Sequence, residues 1–430
     1  MNSIGRRMLL VLGATVILAA CGGVGVVDEP TVGSSEETVE DGQMGEPVEP
    51  DAGDGPSGVN QLDDLDPEVD PGAATDEVLR VDVPSALSDR RSDAFPDPLI
   101  DPAEILSGGP PPDGIPPVDE PMFVDIATAD AYLTDREPVV ELEINGDARA
   151  YPVQILMWHE IVNDVVGDEP VAVTYCPLCN SAVSFKRTVQ GRLNSFGTSG
   201  SLYNSALVMY DRATESLWTH FDGKAVVGYL TGEELELIAS SLVSWAEFKE
   251  AHPEGQVLDR ERTGHRRNYG TNPYRGYDDP DSSTYFPVSG DERARAKQRV
   301  VGVTVDETSK AWSLDIVGGS EPAVTADSVG DTDIVIFFNP GQASGVDTGA
   351  IGEGRDVGTV KVFLPVLGDR ELTFEASAEG FRDAETGSTW SIFGEAIEGE
   401  LVGSELDEVP HLDTFWFAWS SYRPGSEAVL

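Results

Sequence analysis

Cys176-Pro177-Leu178-Cys179 sets two thiols two residues apart, directly after Val171-Ala172-Val173-Thr174-Tyr175. β-Branched and aromatic residues dominate that run, so it reads as a strand. The first thiol then stands where a strand gives way to a loop, and backbone N–H groups left unpaired there can stabilise a thiolate. Three chemistries suit the spacing: a soft-metal clamp, a redox pair in which Cys176 attacks and Cys179 resolves, or an inert disulfide. A bridge closing so short a loop removes little entropy from the unfolded chain, which favours the first two.

Candidate partners for the thiols are few. His159 lies in Ile155-Leu156-Met157-Trp158-His159-Glu160, on an amphipathic helix read over residues 153–166, ahead of the cysteine strand. His220 follows Trp218 by two residues in a strand-like run, hence on the same face. Cys176, Cys179 and His159, with His220 as an added ligand, make a mixed sulfur and nitrogen set that suits copper or zinc better than magnesium or calcium. Without His220, the two thiolates and one imidazole leave one coordination position open. Glu160 is placed to orient the ring or act as a base, although adjacent helical residues point in different directions. His252, His265 and His411 have no supporting company in the sequence.

The third cysteine indicates the compartment. Arg6 and Arg7, an apolar run from Met8 to Leu18, and Leu18-Ala19-Ala20-Cys21 have the layout of a secretory signal, too short for a membrane span. The ending resembles the bacterial lipobox, which implies a lipidated Cys21 at the mature N-terminus and an extracytoplasmic, membrane-anchored protein. In that oxidising setting a vicinal thiol pair forms a disulfide unless a metal or burial intervenes. Residues 22–79 hold seventeen Asp and Glu and no Lys or Arg. They cannot bury enough apolar surface to offset their ordering entropy, so an acidic tether is expected over 22–95.

From residue 80 onward sixty acids face twenty-six bases. That balance argues against nucleic acid as a partner and against docking through a basic patch on anionic lipid. An internal repeat organises the remaining chain. Asp211, Thr214, Ser216, Trp218 and Phe221 recur as Asp383, Thr386, Ser388, Trp390 and Phe393. After a one-residue gap Gly228, Leu230, Trp245 and Pro253 recur as Gly399, Leu401, Trp416 and Pro424. Short alternating runs punctuated by Gly, Asp and Asn predict a mainly β protein of two tandem lobes with a pseudo-twofold relation. The lobes are read at 96–258 and 298–430, joined by a connector at 259–297. A second helix is expected over 242–253. Where the first copy has Cys176, Cys179, His159 and His220, the second has Asn339, Gln342, Ser320 and Ile392, so the chemistry belongs to copy one.

Two further stretches bear on the site. Residues 196–205 are rich in glycine and small hydroxyl residues and read as a tight turn rather than a phosphate loop, because no strand-loop-helix pattern follows. The basic, tyrosine-rich connector segment 263–277 either straps the lobes together or lines the site with Arg266, Arg267 and Tyr269 against an anionic ligand. The combination of Trp158-His159-Glu160-Ile161-Val162-Asn163-Asp164, the stretch 173–185, 196–212, 268–277 and the closing Phe415-Trp416-Phe417-Ala418-Trp419 resembles the bacterial and archaeal family filed as domain of unknown function 3179. The resemblance implies an extracytoplasmic location and puts His159, Cys176 and Cys179 in the family's motif blocks, but supplies no activity. Three functions remain open: a membrane-tethered copper or zinc site, a thiol-disulfide protein, or a duplicated module that binds a small molecule or protein partner through Trp and Tyr faces.

Overall fold

The computed structural model describes residues 80–288, 291–378 and 380–430; Cys21 and the acidic stretch 22–79 lie outside them. β-Structure dominates, in several small sheets. In chain order the first segment forms β1 (Phe123–Asp125), β2 (Pro138–Ile144), β3 (Asp147–Pro152), α1 (Val153–His159), β4 (Ile161–Val166), β5 (Glu169–Cys176) and β6 (Ser181–Lys186). It continues with β7 (Phe196–Tyr203), β8 (Ala206–Asp211), β9 (Leu217–Thr219), β10 (Ala225–Val227), β11 (Ser241–Ser244), α2 (Trp245–Ala251) and β12 (Gln256–Leu258). Three sheets result, ordered β11-β2-β3-β12-β1, β6-β5-β4 and β7-β8-β9-β10, the last two with a short extra strand at one edge.

Local chemistry sets the turns. Asn145 and Gly146 join β2 to β3 with φ of 53° and 80°, the left-handed pair that a two-residue hairpin requires. Gly167 and Asp168, at 54° and 68°, do the same between β4 and β5. The helix expected over 153–166 stops at His159: Glu160 turns to φ 58° and the β-branched run Ile161-Val162 continues as strand β4. Likewise the helix expected over 242–253 is strand β11 followed by α2, whose start is fixed by a reciprocal cap between Ser244 and Glu247. Among the described residues no helix is long and apolar enough to cross a membrane.

The second segment repeats this order in β13 (Arg299–Val305), β14 (Thr308–Ser313), α3 (Leu314–Val317), β15 (Ala323–Val329), β16 (Thr332–Asn339) and β17 (Thr359–Phe363). Then come β18 (Phe374–Ser377), β19 (Gly380–Asp383), β20 (Thr389–Trp390), β21 (Ala396–Glu398), β22 (His411–Phe415), α4 (Trp416–Tyr422) and β23 (Glu427–Val429). Its sheet β22-β13-β14-β23 has the strand order of β11-β2-β3-β12. The repeated residues make the same bonds. Asp211 accepts from Thr214, the Ser216 backbone N–H and Trp218 Nε1 (2.9 Å), and Asp383 accepts from Thr386, the Ser388 N–H and Trp390 Nε1 (2.9 Å). Gly228, at φ 121°, packs so closely that a Cβ would stand 2.7 Å from Ser216, and Gly399 repeats this against Ser388.

The segments interlock. Val140, Leu142, Tyr175, Cys176 and Cys179 share one buried core with Phe415, Trp416 and Trp419. Residues 80–95, assigned to the tether on composition, are folded too: Ala86 is fully buried and the Arg90 guanidinium donates to the Ile105 carbonyl and Ser201. Lys361 on β17 is buried with its Nζ 2.9 Å from both Glu141 on β2 and Glu408. Removing that ammonium strands two carboxylates away from water. Lys361→Met is therefore expected to cost about 3–5 kcal/mol, read from urea unfolding. Arg370→Ala, which breaks an exposed pair with Glu400, should change stability by less than about 1 kcal/mol.

Candidate functional site

The pleat assembles the site. In the β5-β6 hairpin Cys176 pairs with Ser181 and Thr174 with Val183, so Pro177 to Asn180 form the connecting loop. Cross-strand partners and residues two apart share a face, which puts Thr174, Cys176 and Ser181 side by side. Asn180 turns the loop at φ 50°. Copy two clamps it: Thr414 Oγ1 (2.8 Å) and the Phe415 N–H (3.1 Å) both donate to the Cys179 carbonyl.

The two sulfurs are free, buried and in unlike surroundings. Burial pushes the Cys176 thiol up, but the Cys179 side chain and the backbone N–H groups of Cys179, Leu207 and Leu178 outweigh it and hold Cys176 below its ordinary value. Cys179 is pushed well above its ordinary value by burial and by Cys176 beside it. Its sulfur lies 3.0 Å from Ser181 Oγ. Glu160, at the end of α1, is buried, and burial together with the neighbouring Cys176 pushes its carboxyl well above the usual range. A buried carboxyl that senses the charge of a low thiol is a piece of acid-base chemistry at sulfur.

His220 lies one residue beyond β9, so it is carried by the turn and not by the strand. Its Nδ1 is 3.0 Å from Thr174 Oγ1 and its Nε2 3.0 Å from Ser181 Oγ. His159 is buried at the end of α1 with both nitrogens engaged: Nδ1 donates to the Pro116 carbonyl (2.7 Å), so Nε2 accepts from the Tyr269 hydroxyl (2.7 Å). Thr263 bonds that hydroxyl in turn, and the His265 ring lies 5.2 Å away. Connector residue Tyr269 thus reaches His159, and His265 has company the sequence did not reveal, whereas Arg266 and Arg267 are exposed. The fully buried Trp218, Trp245, Trp312, Trp390, Trp416 and Trp419 offer no face to a ligand.

Among the described residues the one group of three or more His, Cys, Asp or Glu ligand atoms all within 4.8 Å of each other is Glu141, Glu143 and His252. This group could hold a metal ion. Cys176 and Cys179 form no such triad with His159 or His220. Glu141 and Glu143 alternate on β2, a spacing visible in the sequence, but the approach of His252 from the end of α2 is a tertiary event. Ser181 and Thr174 also escaped the sequence reading, because their alignment with the thiols follows only from the hairpin register.

Burial drives His159 down to about 4 and His220 down to about 3. Both stay neutral in the folded chain where the unfolded chain, with histidine near 6.5, takes up protons. Stability should therefore be fullest above pH 6.5 and fall on acidification, by about 1.4 kcal/mol per pH unit for each histidine. Denaturation midpoints between pH 7 and pH 5 test this: His220→Gln should show a slope shallower by about one proton.

No curated protein and no solved structure gives a match. A family model described as "Protein of unknown function (DUF3179)" matches residues 112–426. That span takes in both repeats, the connector, the thiol hairpin and His159, His220 and Tyr269, and the chain belongs to the DUF3179 family.

Proposed function

We propose that the protein carries out thiol-disulfide exchange with a small substrate, using Cys176 as nucleophile and Cys179 as resolving thiol. The observation that carries this reading is the unequal hydrogen bonding of two adjacent sulfurs: the backbone N–H groups of Leu178, Cys179 and Leu207 and the Cys179 thiol serve Cys176 and hold it low, whereas Cys179 is served by Ser181 and is still pushed up by burial and by Cys176. A thiolate is the attacking species, and selective stabilisation of one member of a pair gives the exchange its direction. The Cys176 thiolate attacks one sulfur of a disulfide and releases the other as a thiolate. Cys179 then attacks the Cys176 sulfur, releases the second substrate thiolate and leaves the pair bridged. Two electrons pass from the pair to the substrate; the reverse sequence oxidises a dithiol.

Both sulfurs are covered. Tyr274 and Tyr277 of the connector 259–297 and Tyr422 on α4 lie close enough to sense their charge. Cover this close favours small molecules over protein disulfides. A lipidated Cys21 would hold this chemistry on the outer face of a membrane, consistent with the signal-like start of the chain.

A second reading, copper or zinc held by Cys176 and Cys179, draws on the contact between the two sulfurs and the presence of His220 one hydroxyl away. In that case His159 would have to give up its Pro116 or Tyr269 bond to join. The full-length chain, purified without added metal, distinguishes the two. Exchange predicts that Cys179→Ser treated with a small disulfide accumulates a mixed disulfide on Cys176, found by peptide mass spectrometry, with no stoichiometric metal in the wild type. Near-stoichiometric copper or zinc that disappears in Cys176→Ser would replace this reading with the metal site.

A further inference from the structure

Cys179 must lose a proton before it can attack, and its side chain is fully buried. We propose that Ser181 and His220 form a relay that takes that proton. This deepens the thiol-disulfide reading and rests on it.

The direction of the relay follows from its far end. Thr174 Oγ1 spends its one proton on the Val183 carbonyl, 2.6 Å away. It can therefore only accept from His220, which fixes the imidazole proton on Nδ1 and leaves Nε2 as a lone pair. Ser181, 3.0 Å from Nε2, donates there. Once the mixed disulfide has formed on Cys176, the Cys179 S–H that served its thiolate is released, and the Ser181 oxygen, 3.0 Å on the other side, is then its acceptor. Every bond in the chain from Cys179 through Ser181 and His220 to Thr174 points the same way, and all four residues are buried.

Copy two keeps the frame and omits the relay. Asn339 pairs with Thr359 as Cys176 pairs with Ser181, and Thr359 Oγ1 lies 3.2 Å from Gln342 Oε1, in the place of Cys179 beside Ser181. But Phe337 stands in the place of Thr174 and Ile392 in the place of His220, and the Thr359 hydroxyl turns to Glu247 instead. Imidazole and threonine occur where there is a thiol to deprotonate.

During resolution Cys179 passes its proton to Ser181 as Ser181 passes its own to His220 Nε2. The Cys179 sulfur bonds to the Cys176 sulfur, the bond from Cys176 to the substrate sulfur breaks, and the substrate leaves as a thiolate. His220, now an imidazolium, returns the proton to that thiolate or to water. The other titratable groups facing the thiols are Glu160 from the end of α1, Tyr175 from β5, Tyr274 and Tyr277 from the connector and Tyr422 from α4. Only Glu160 among them competes as a proton acceptor.

The test uses the reduced full-length chain and 2,2′-dithiodipyridine, a neutral disulfide whose thiopyridone product absorbs. The first equivalent released reports attack by Cys176 and the second reports resolution by Cys179. His220→Gln and Ser181→Ala should release the first equivalent at the wild-type rate, which also certifies their fold. Their second equivalent should slow about a hundredfold at neutral pH and climb about tenfold per pH unit as free ionisation of Cys179 takes over. Thr174→Val, which keeps the imidazole but frees its tautomer, should fall between. A second equivalent with wild-type rate and pH profile in both His220→Gln and Ser181→Ala overturns the relay, as does the same loss in Glu160→Gln with His220→Gln unaffected. Absence of even the first equivalent from the wild type would instead remove the exchange reading beneath it.

Discussion

The register of one hairpin, Cys176 opposite Ser181, is the constraint on which the site depends. It places both thiols at the loop end of β5 and β6, sets Thr174 two residues below on the same face, and leaves the loop N–H groups of Leu178 and Cys179 free to point at the Cys176 sulfur. A slip of one residue between the strands would put Ser181 on the face opposite Thr174 and Cys176. The register is held from outside the hairpin by β22 of copy two, whose Thr414 and Phe415 fasten the Cys179 carbonyl. The second segment therefore contributes to the site without supplying a reactive group.

The two segments divide structure from chemistry. Hydrogen-bonded aspartates, buried tryptophans and left-handed glycines occur in both and hold the sheets. Cys176, Cys179, His220 and Thr174, which orients that imidazole, have no counterpart of the same type in the second segment. Thr359 and Asn339 in copy two are instead tied to Glu247 of copy one, at 2.5 and 2.7 Å, so the degenerate counterpart serves as a joint between the segments.

Much of this was legible in the sequence. The β-rich class follows from short alternating runs, and the thiol pair after a strand follows from Val171 to Tyr175. Unlike residues at matched positions of the repeat isolate Cys176, Cys179 and His220. What the sequence hid is mainly tertiary. The continuous apolar pattern of 153–166 conceals the break at Glu160, because a helix and a strand buried on both faces carry the same residues. Ser181 looks like any small residue until the loop length is known. The partner of Asn339 is Thr359, beyond the long excursion 340–358, and spacing alone does not find it. His252, unremarkable beside Pro253, meets Glu141 and Glu143 because α2 links β11, paired with β2, to β12, paired with β3.

Unequal ionisation of the two sulfurs is the central claim, and the ultraviolet absorbance of thiolate as a function of pH measures it most directly. For the reduced full-length chain, one thiolate should form below the pH at which an ordinary cysteine ionises. It should be missing from Cys176→Ser and move upward in Cys179→Ala, which withdraws the hydrogen bond of the neighbouring thiol. Two thiols ionising together at or above the ordinary value, or a low thiolate that survives in Cys176→Ser, would contradict the account.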